Sequence, residues 1–225
     1  MENMSDVIQA VFSSAYAGSV RYYAAMLGCG CRIGIDDGER VKHHSWIHNH
    51  CRIAGANGVQ TLAIPVEKPS TSATAGYCVR DMRISEHGDW RRIHWGAIFS
   101  AYGKTPFFEY IATDLQAIYN RGDHWLIDFN MAMHELIVDF LDIPIAASRC
   151  GNGSPLPYHS SRDFRGLIGE KKPDTTNRIT NEEYYQIWAS KYGFTPDLSI
   201  LDLLMNTGRE SIFTLHDMTL NFNNI

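Results

Sequence analysis

Apolar positions along this chain recur in two rhythms. Val7–Phe12 (VIQAVF) and Cys31–Ile35 (CRIGI) are short runs rich in β-branched and aromatic residues, the mark of strands. Between them, Val20, Tyr23, Ala24 and Leu27 fall on one face of a helix spanning Ser19–Leu27, and Gly28 and Gly30 end it. Strand, loop, helix and strand in this order, over roughly thirty residues, predict a βαβ unit. Parallel strands joined in this way bind ligands at their carboxyl ends. That rule sets Ser13, Ser14 and Tyr16 beside Asp36 and Asp37.

Alternation returns on either side of Ala56-Asn57-Gly58, where Cys51–Ala54 and Val59–Val66 read as a β-hairpin. Residues 67–76 are a polar loop of small residues, and Cys78–Ile84 reads as a further strand. Helical periodicity then takes over at Asp89–Tyr102, with Asp89 as N-cap, at Pro106–Asn120, and at Ile127–Leu141, which Pro144 stops. Residues 148–180 lose periodicity and read as a long loop or partly disordered insert. Asn181–Tyr192 is expected as a helix capped by Asn181, Leu198–Met205 as a short apolar helix closed by Gly208, and the residues from Leu220 as a tail. The pattern describes one α/β domain over residues 1–225: a βαβ start with a mostly parallel sheet, a β-hairpin insertion, and a helical C-terminal half.

Composition narrows the function classes. With 225 residues and 44% hydrophobic content the chain can bury one sizeable core. A net charge of −5 argues against a general nucleic-acid surface or an anionic membrane surface as partner, and leaves a small molecule. No apolar run approaches the roughly 20 residues of a membrane span. The N-terminus has no basic segment followed by an apolar core and a cleavage site, so the expected compartment is the cytoplasm. Five cysteines in a chain of this size read as reduced thiols.

Candidate chemistry gathers where polar residues crowd. Glu86, His87, Asp89, Trp90, Arg91, Arg92, His94 and Trp95 occupy ten positions at a turn-to-helix junction. His87 and His94 titrate near neutrality and suit proton transfer, with Asp37 as a further base. Arg52, Arg83, Arg91 and Lys42 suit phosphate or carboxylate recognition, and Trp90 and Trp95 can stack on a sugar or a base. Ser14, Tyr16 and Asp36 complete the expected binding set. His44, His48 and His50 would share one face if residues 42–50 formed a strand, but no complete metal motif is present, and no metal is assigned. Nucleotide fingerprints and the G-x-S-x-G elbow are absent, and the residues name no cofactor.

Several blocks are familiar in combination. They are Ser14-Ala15-Tyr16-Ala17-Gly18 with Tyr22-Tyr23-Ala24, Ile35-Asp36-Asp37, Asn49 with Cys51–Leu62, Pro65-Val66, Arg83-Ile84-Ser85, Trp90-Arg91, His94-Trp95, Ser100-Ala101-Tyr102, Thr105–Phe108, and Leu198–Asn206 with Gly208. On these the chain resembles the WbqC-like protein family of bacteria. The resemblance implies a Rossmann-like α/β start and a cytoplasmic role in surface-polysaccharide assembly. It implies a transferase acting on an amino sugar or a sugar nucleotide. A non-catalytic binding or scaffold protein of the same pathway is the alternative, and a metal-dependent hydrolase, resting on the His-rich segment, a more distant one. The chain departs from the family in carrying Ser13 where Pro is usual, and His44, His48 and His50 in a segment usually rich in Lys and Arg.

Overall fold

Ala10–Ser13 (β1) and Arg32–Asp36 (β2) form the expected parallel pair, in register from Ala10 opposite Ile33 to Ser13 opposite Asp36. They belong to a computed structural model that describes residues 8–41, 46–67, 77–151, 162–168 and 181–222. The helix joining them, Val20–Cys29 (α1), is capped by Ser19, whose hydroxyl accepts from the Tyr22 amide. β1 is buried at all four positions, which is why it reads as an unbroken apolar run and not as an alternation.

Two strands that the sequence reading did not expect complete this sheet. Ala146–Cys150 (β5) pairs in parallel with β2, and Arg162–Asp163 (β6) pairs in parallel with β1, so the strand order is β5-β2-β1-β6. Both are edge strands with much exposed surface, and their compositions (AASRC, RD) carry little apolar signal. They account for part of the 148–180 stretch; residues 152–161 and 169–180 lie outside the described residues, as do Val7, Lys42, His44, most of the 67–76 loop and the last three residues of the tail.

The hairpin forms as a separate antiparallel sheet, His50–Gly55 (β3) against Gly58–Ala63 (β4), turning on Ala56-Asn57. Trp90–Tyr102 (α2), Phe108–Asn120 (α3) and Leu126–Leu141 (α4) follow in order and pack consecutively. Asp89 is not the side-chain cap of α2. It sits in the left-handed region at φ 47°, and its carboxylate holds Arg92 at 2.5 Å.

Three further expectations are corrected. Cys78–Ile84 is not a strand: Val79–Asp81 is a single 3₁₀ turn, drawn tight by Asp81 accepting from the Cys78 amide, and only isolated bridges (Val66 with Ile84, Arg83 with Trp125) remain on its far side. Within 181–192 only Ala189–Tyr192 (α5) is helical, because Tyr184 and Gln186 are drawn inward to the Asp202 carboxylate. After Ile200–Thr207 (α6), the chain does not trail off but forms Ser211–Phe222 (α7), which buries Leu215 and Met218 and packs on α1.

Among the described residues no helix is long and apolar enough to cross a membrane. All five cysteines are free thiols.

The carboxyl end of the parallel sheet is closed by close backbone contact. A Cβ on Gly38 would lie 2.2 Å from the Gly151 carbonyl oxygen, and one on Gly151, at φ +114°, 2.2 Å from Asp36 Oδ1. Asp36 cannot retreat, since Arg165 holds its other oxygen at 2.6 Å. Gly151→Ala is therefore expected to destabilise the chain by about 2 kcal/mol or more, the scale of a strained backbone position. Urea unfolding monitored by circular dichroism measures this, and an unchanged midpoint would contradict the packing described.

Candidate functional site

The site begins where two helices start side by side. The Val20 amide at the start of α1 donates to Leu198 O (3.0 Å), and the Ile200 amide at the start of α6 donates to Gly18 O (2.8 Å), with Ser19 and Ser199 forming an antiparallel bridge between them. Each serine caps its own helix, and the Ser199 hydroxyl also donates to Ala17 O at 2.7 Å. The two positive helix ends therefore face a common space.

A cleft of about 430 Å³ opens there. Tyr16–Ser19 and Arg21 line one side, Trp46, Ile47, His50–Arg52 and Thr61 a second, and Thr195–Asp197 with Ser199 a third. The 46–49 turn is held on the β1–α1 loop by the Tyr16 amide donating to Ile47 O (3.0 Å) and by His48 Nδ1 donating to Ser14 O (2.8 Å). Asn130 secures the same joint, donating to Ser14 Oγ (2.9 Å) and His48 O (2.8 Å).

Charge and aromatic surface meet in this cleft. Arg21 makes a two-pronged pair with Asp197, its Nη2 donating to Oδ2 at 2.8 Å and its Nε to Oδ1. Arg52 donates to the Asp197 backbone carbonyl at 2.9 Å. The Trp46 and His50 rings lie stacked, 5.2 Å between centroids and 16° apart. Two non-glycine residues with left-handed backbone, Ala17 (φ 41°) and Asp197 (φ 59°), stand in the wall; such conformations persist only where surrounding structure holds them, and they cluster at functional sites.

The structure places the residues singled out from sequence in several settings. Tyr16 and Arg52 line the cleft. Tyr16 and His94, 78 positions apart, meet beneath it: the Tyr16 hydroxyl lies 2.9 Å from His94 Nδ1 and 2.5 Å from the Tyr119 hydroxyl. Burial keeps the His94 ring neutral, and its Nδ1 is bonded to the Tyr16 hydroxyl. Trp90 packs edge-on against His94, and Arg91 lies over the Trp90 ring at 4.6 Å while pairing with Glu86. Trp95 is half-buried against Phe108.

Ser14, buried, serves the joint to His48 and Asn130. Asp36 and Asp37 do not face the cleft but are tied to Arg165 (2.6 Å) and Arg149 (2.9 Å) at the sheet's carboxyl end. Arg83 is exposed near Glu67 and Trp125, and His87 stands exposed in the turn before α2; neither lines the cleft. Lys42 lies outside the described residues. Residues 47–49 are a turn, so His48 and His50 do not share a strand face: His48 is buried against Ser14 while His50 faces the cleft. Among the described residues no three His, Cys, Asp or Glu side chains are grouped to hold a metal ion.

A family sequence model, that of the WbqC-like protein family, matches residues 14–163. The chain belongs to this family. A relative from Mycobacterium tuberculosis, described as the uncharacterized protein Rv1507c, is 27% identical over 201 residues, covering 78% of this chain and 83% of its own. No solved structure matches significantly. The family match spans the Tyr16, Trp46, His50 and Arg52 walls of the cleft and ends before Asp197.

Sequence reasoning missed Arg21, Thr195 and Asp197. Arg21 is hidden inside a helix that reads as an ordinary amphipathic one, and Asp197 becomes its partner only through a contact 176 positions away. Thr195-Pro196-Asp197 before an apolar helix was the available signal.

Burial sets the protonation of the interior. It lowers His94 and His134 to about 4 and lowers His48 below its ordinary value. It raises Asp202 to about 6 against the donors Tyr184, Tyr102 and Gln186. The unfolded histidines take a proton near pH 6.5. Their contribution to stability is thus complete above that pH and is lost as the pH falls towards 4. Asp202 opposes them: its contribution is complete below pH 4 and is lost as the pH rises through 6. Three groups against one make stability rise with pH across this window. The urea midpoint is expected to be lower at pH 4.5 than at pH 7, with a shallower dependence in His94→Gln and a steeper one in Asp202→Asn. A midpoint independent of pH would refute this assignment.

Proposed function

We propose that the cleft binds a small anionic sugar derivative, and that the chain acts on it as a group transferase of surface-polysaccharide assembly, on an amino sugar or a sugar nucleotide. One observation carries the reading: Arg52, with no carboxylate partner among the described residues, lines the cleft together with the stacked Trp46–His50 rings. A guanidinium favours an anion, and an aromatic face suits the apolar side of a sugar ring. Thr61 and Thr195 supply hydroxyls that can orient the ligand's own. The His50 Nδ1 donates to Asn49 Oδ1 (2.8 Å) and Trp46 O (3.2 Å), which fixes the imidazole in the cleft wall. His50 is the titratable ring that lines the cleft, and it is the candidate for moving a proton during transfer.

A second reading, a binding protein without turnover, is favoured by a specific observation. Asp36 and Asp37 are held in ion pairs away from the cleft, and His94 is neutral and buried beneath it. Of the proton-transfer groups expected from sequence, none projects into the cleft.

Thermal-shift and calorimetric titration with sugar nucleotides, amino sugars and uronic acids test the reading, and product analysis with acyl and glycosyl donors separates the two alternatives. Arg52→Ala is expected to weaken binding about tenfold or more, the worth of a charge-assisted hydrogen bond, and ligand addition should change Trp46 fluorescence. Absence of binding by the wild-type chain, or undiminished affinity in Arg52→Ala, would reject the site.

A further inference from the structure

The charges of the cleft are not equal. Arg21 is spent: both prongs of its guanidinium are taken by the Asp197 carboxylate, and the two side chains keep only 9% and 13% of their surface. Arg52 is not. It donates to a neutral backbone carbonyl, and among the described residues no carboxylate pairs with it. Asp197 stands in the wall with a left-handed backbone at φ 59°, and its carboxylate occupies the Arg21 guanidinium. The lining thus presents one uncompensated guanidinium and one closed ion pair, beside helix starts whose first amides are already bonded to Leu198 and Gly18.

We propose that Asp197 is the specificity-determining residue of the cleft, restricting its ligands to those with a singly charged anionic group, a carboxylate or a phosphodiester. A terminal phosphate carries a second negative charge, for which no cation is left while Asp197 occupies Arg21. A carboxylate or a phosphodiester satisfies Arg52 and leaves none over. The inference rests on the cleft reading above and narrows its ligand class.

Asn tolerates the left-handed region as Asp does, so Asp197→Asn removes the charge and preserves the shape. Four probes are titrated calorimetrically: methyl β-glucuronide (a carboxylate), glucose 1-phosphate methyl ester (a phosphodiester), glucose 1-phosphate (mostly dianionic at pH 7.5) and methyl β-glucoside (neutral). The wild-type chain is expected to bind one or both singly charged probes at least tenfold more tightly than the other two. The two singly charged arms then decide between carboxylate and phosphodiester. In Asp197→Asn the affinity for glucose 1-phosphate relative to the singly charged probes should rise about tenfold, the effect of one unit charge at close range in a partly screened site. Thr61→Lys, at the exposed rim, adds one positive charge without touching Arg21, so it tests the same arithmetic if Asp197→Asn does not fold. It too should raise the relative affinity for glucose 1-phosphate.

A purely structural Arg21–Asp197 pair would lower the melting temperature of Asp197→Asn without changing the ratio of affinities. That outcome overturns the inference while leaving the cleft as a ligand site. A wild-type chain that binds none of the four overturns the cleft reading as well.

Discussion

The architecture hangs on the joined starts of α1 and α6. A helix start leaves amides without partners, and burying them unbonded is costly. Here each start supplies the other's acceptor: Leu198 O takes the Val20 amide, and Gly18 O takes the Ile200 amide. The contact spans almost the whole chain, and it brings the same ends of two helix dipoles together. Like ends repel, so the arrangement calls for a negative charge at the junction. Asp197 stands there, paired with Arg21 of α1, and the cleft is the space left beside the pair.

The consequences extend to the sheet. In open α/β folds the carboxyl ends of parallel strands usually leave a crevice for a ligand. In this chain that end is packed shut, with Asp36 and Asp37 engaged by Arg165 and Arg149 and the backbones of Gly38 and Gly151 in contact. The opening lies instead between the β1–α1 loop, the start of the hairpin and the approach to α6. Tyr16 connects this opening to the interior: it lines the cleft, and its hydroxyl is fixed by His94 and Tyr119. The chain of Tyr119, Tyr16 and His94 is fully buried and neutral, so it serves to hold the loop rigid beneath the cleft rather than to exchange protons with it.

Sequence periodicity revealed those elements whose own residues supply a packing face: the βαβ start, the hairpin and helices α2 to α4. It was silent on β5 and β6, because an edge strand of Ala, Ser and Arg owes its conformation to the ladder of β2 or β1. It misread 181–186, where Tyr184 and Gln186 are recruited by the buried Asp202, a contact made across the fold. At the site, Tyr16, Arg52 and His94 were legible as polar or aromatic residues in polar settings. Their division into a cleft wall and a buried support was not, since it depends on which of them water reaches. Arg21 was invisible for the opposite reason: within a helix it resembles any exposed arginine until its partner arrives from the other end of the chain.

The family match bears on how such a cleft diversifies. It covers three of the four sheet strands (β2, β5 and β6), the hairpin and the walls that carry Tyr16, Trp46 and Arg52, and it stops before the Thr195–Ser199 wall. That third wall is irregular backbone, held by side-chain bonds from Gln186 to Thr195 and from Arg21 to Asp197, and not by a sheet or a long helix. Irregular segments accept substitution and changes of length more readily than the elements they connect. A common scaffold beneath an irregular wall leaves that wall free to vary in charge without disturbing the sheet or the hairpin. A change at Asp197 would remove a whole unit of charge from the cleft and leave the α1–α6 junction bonded through its backbone.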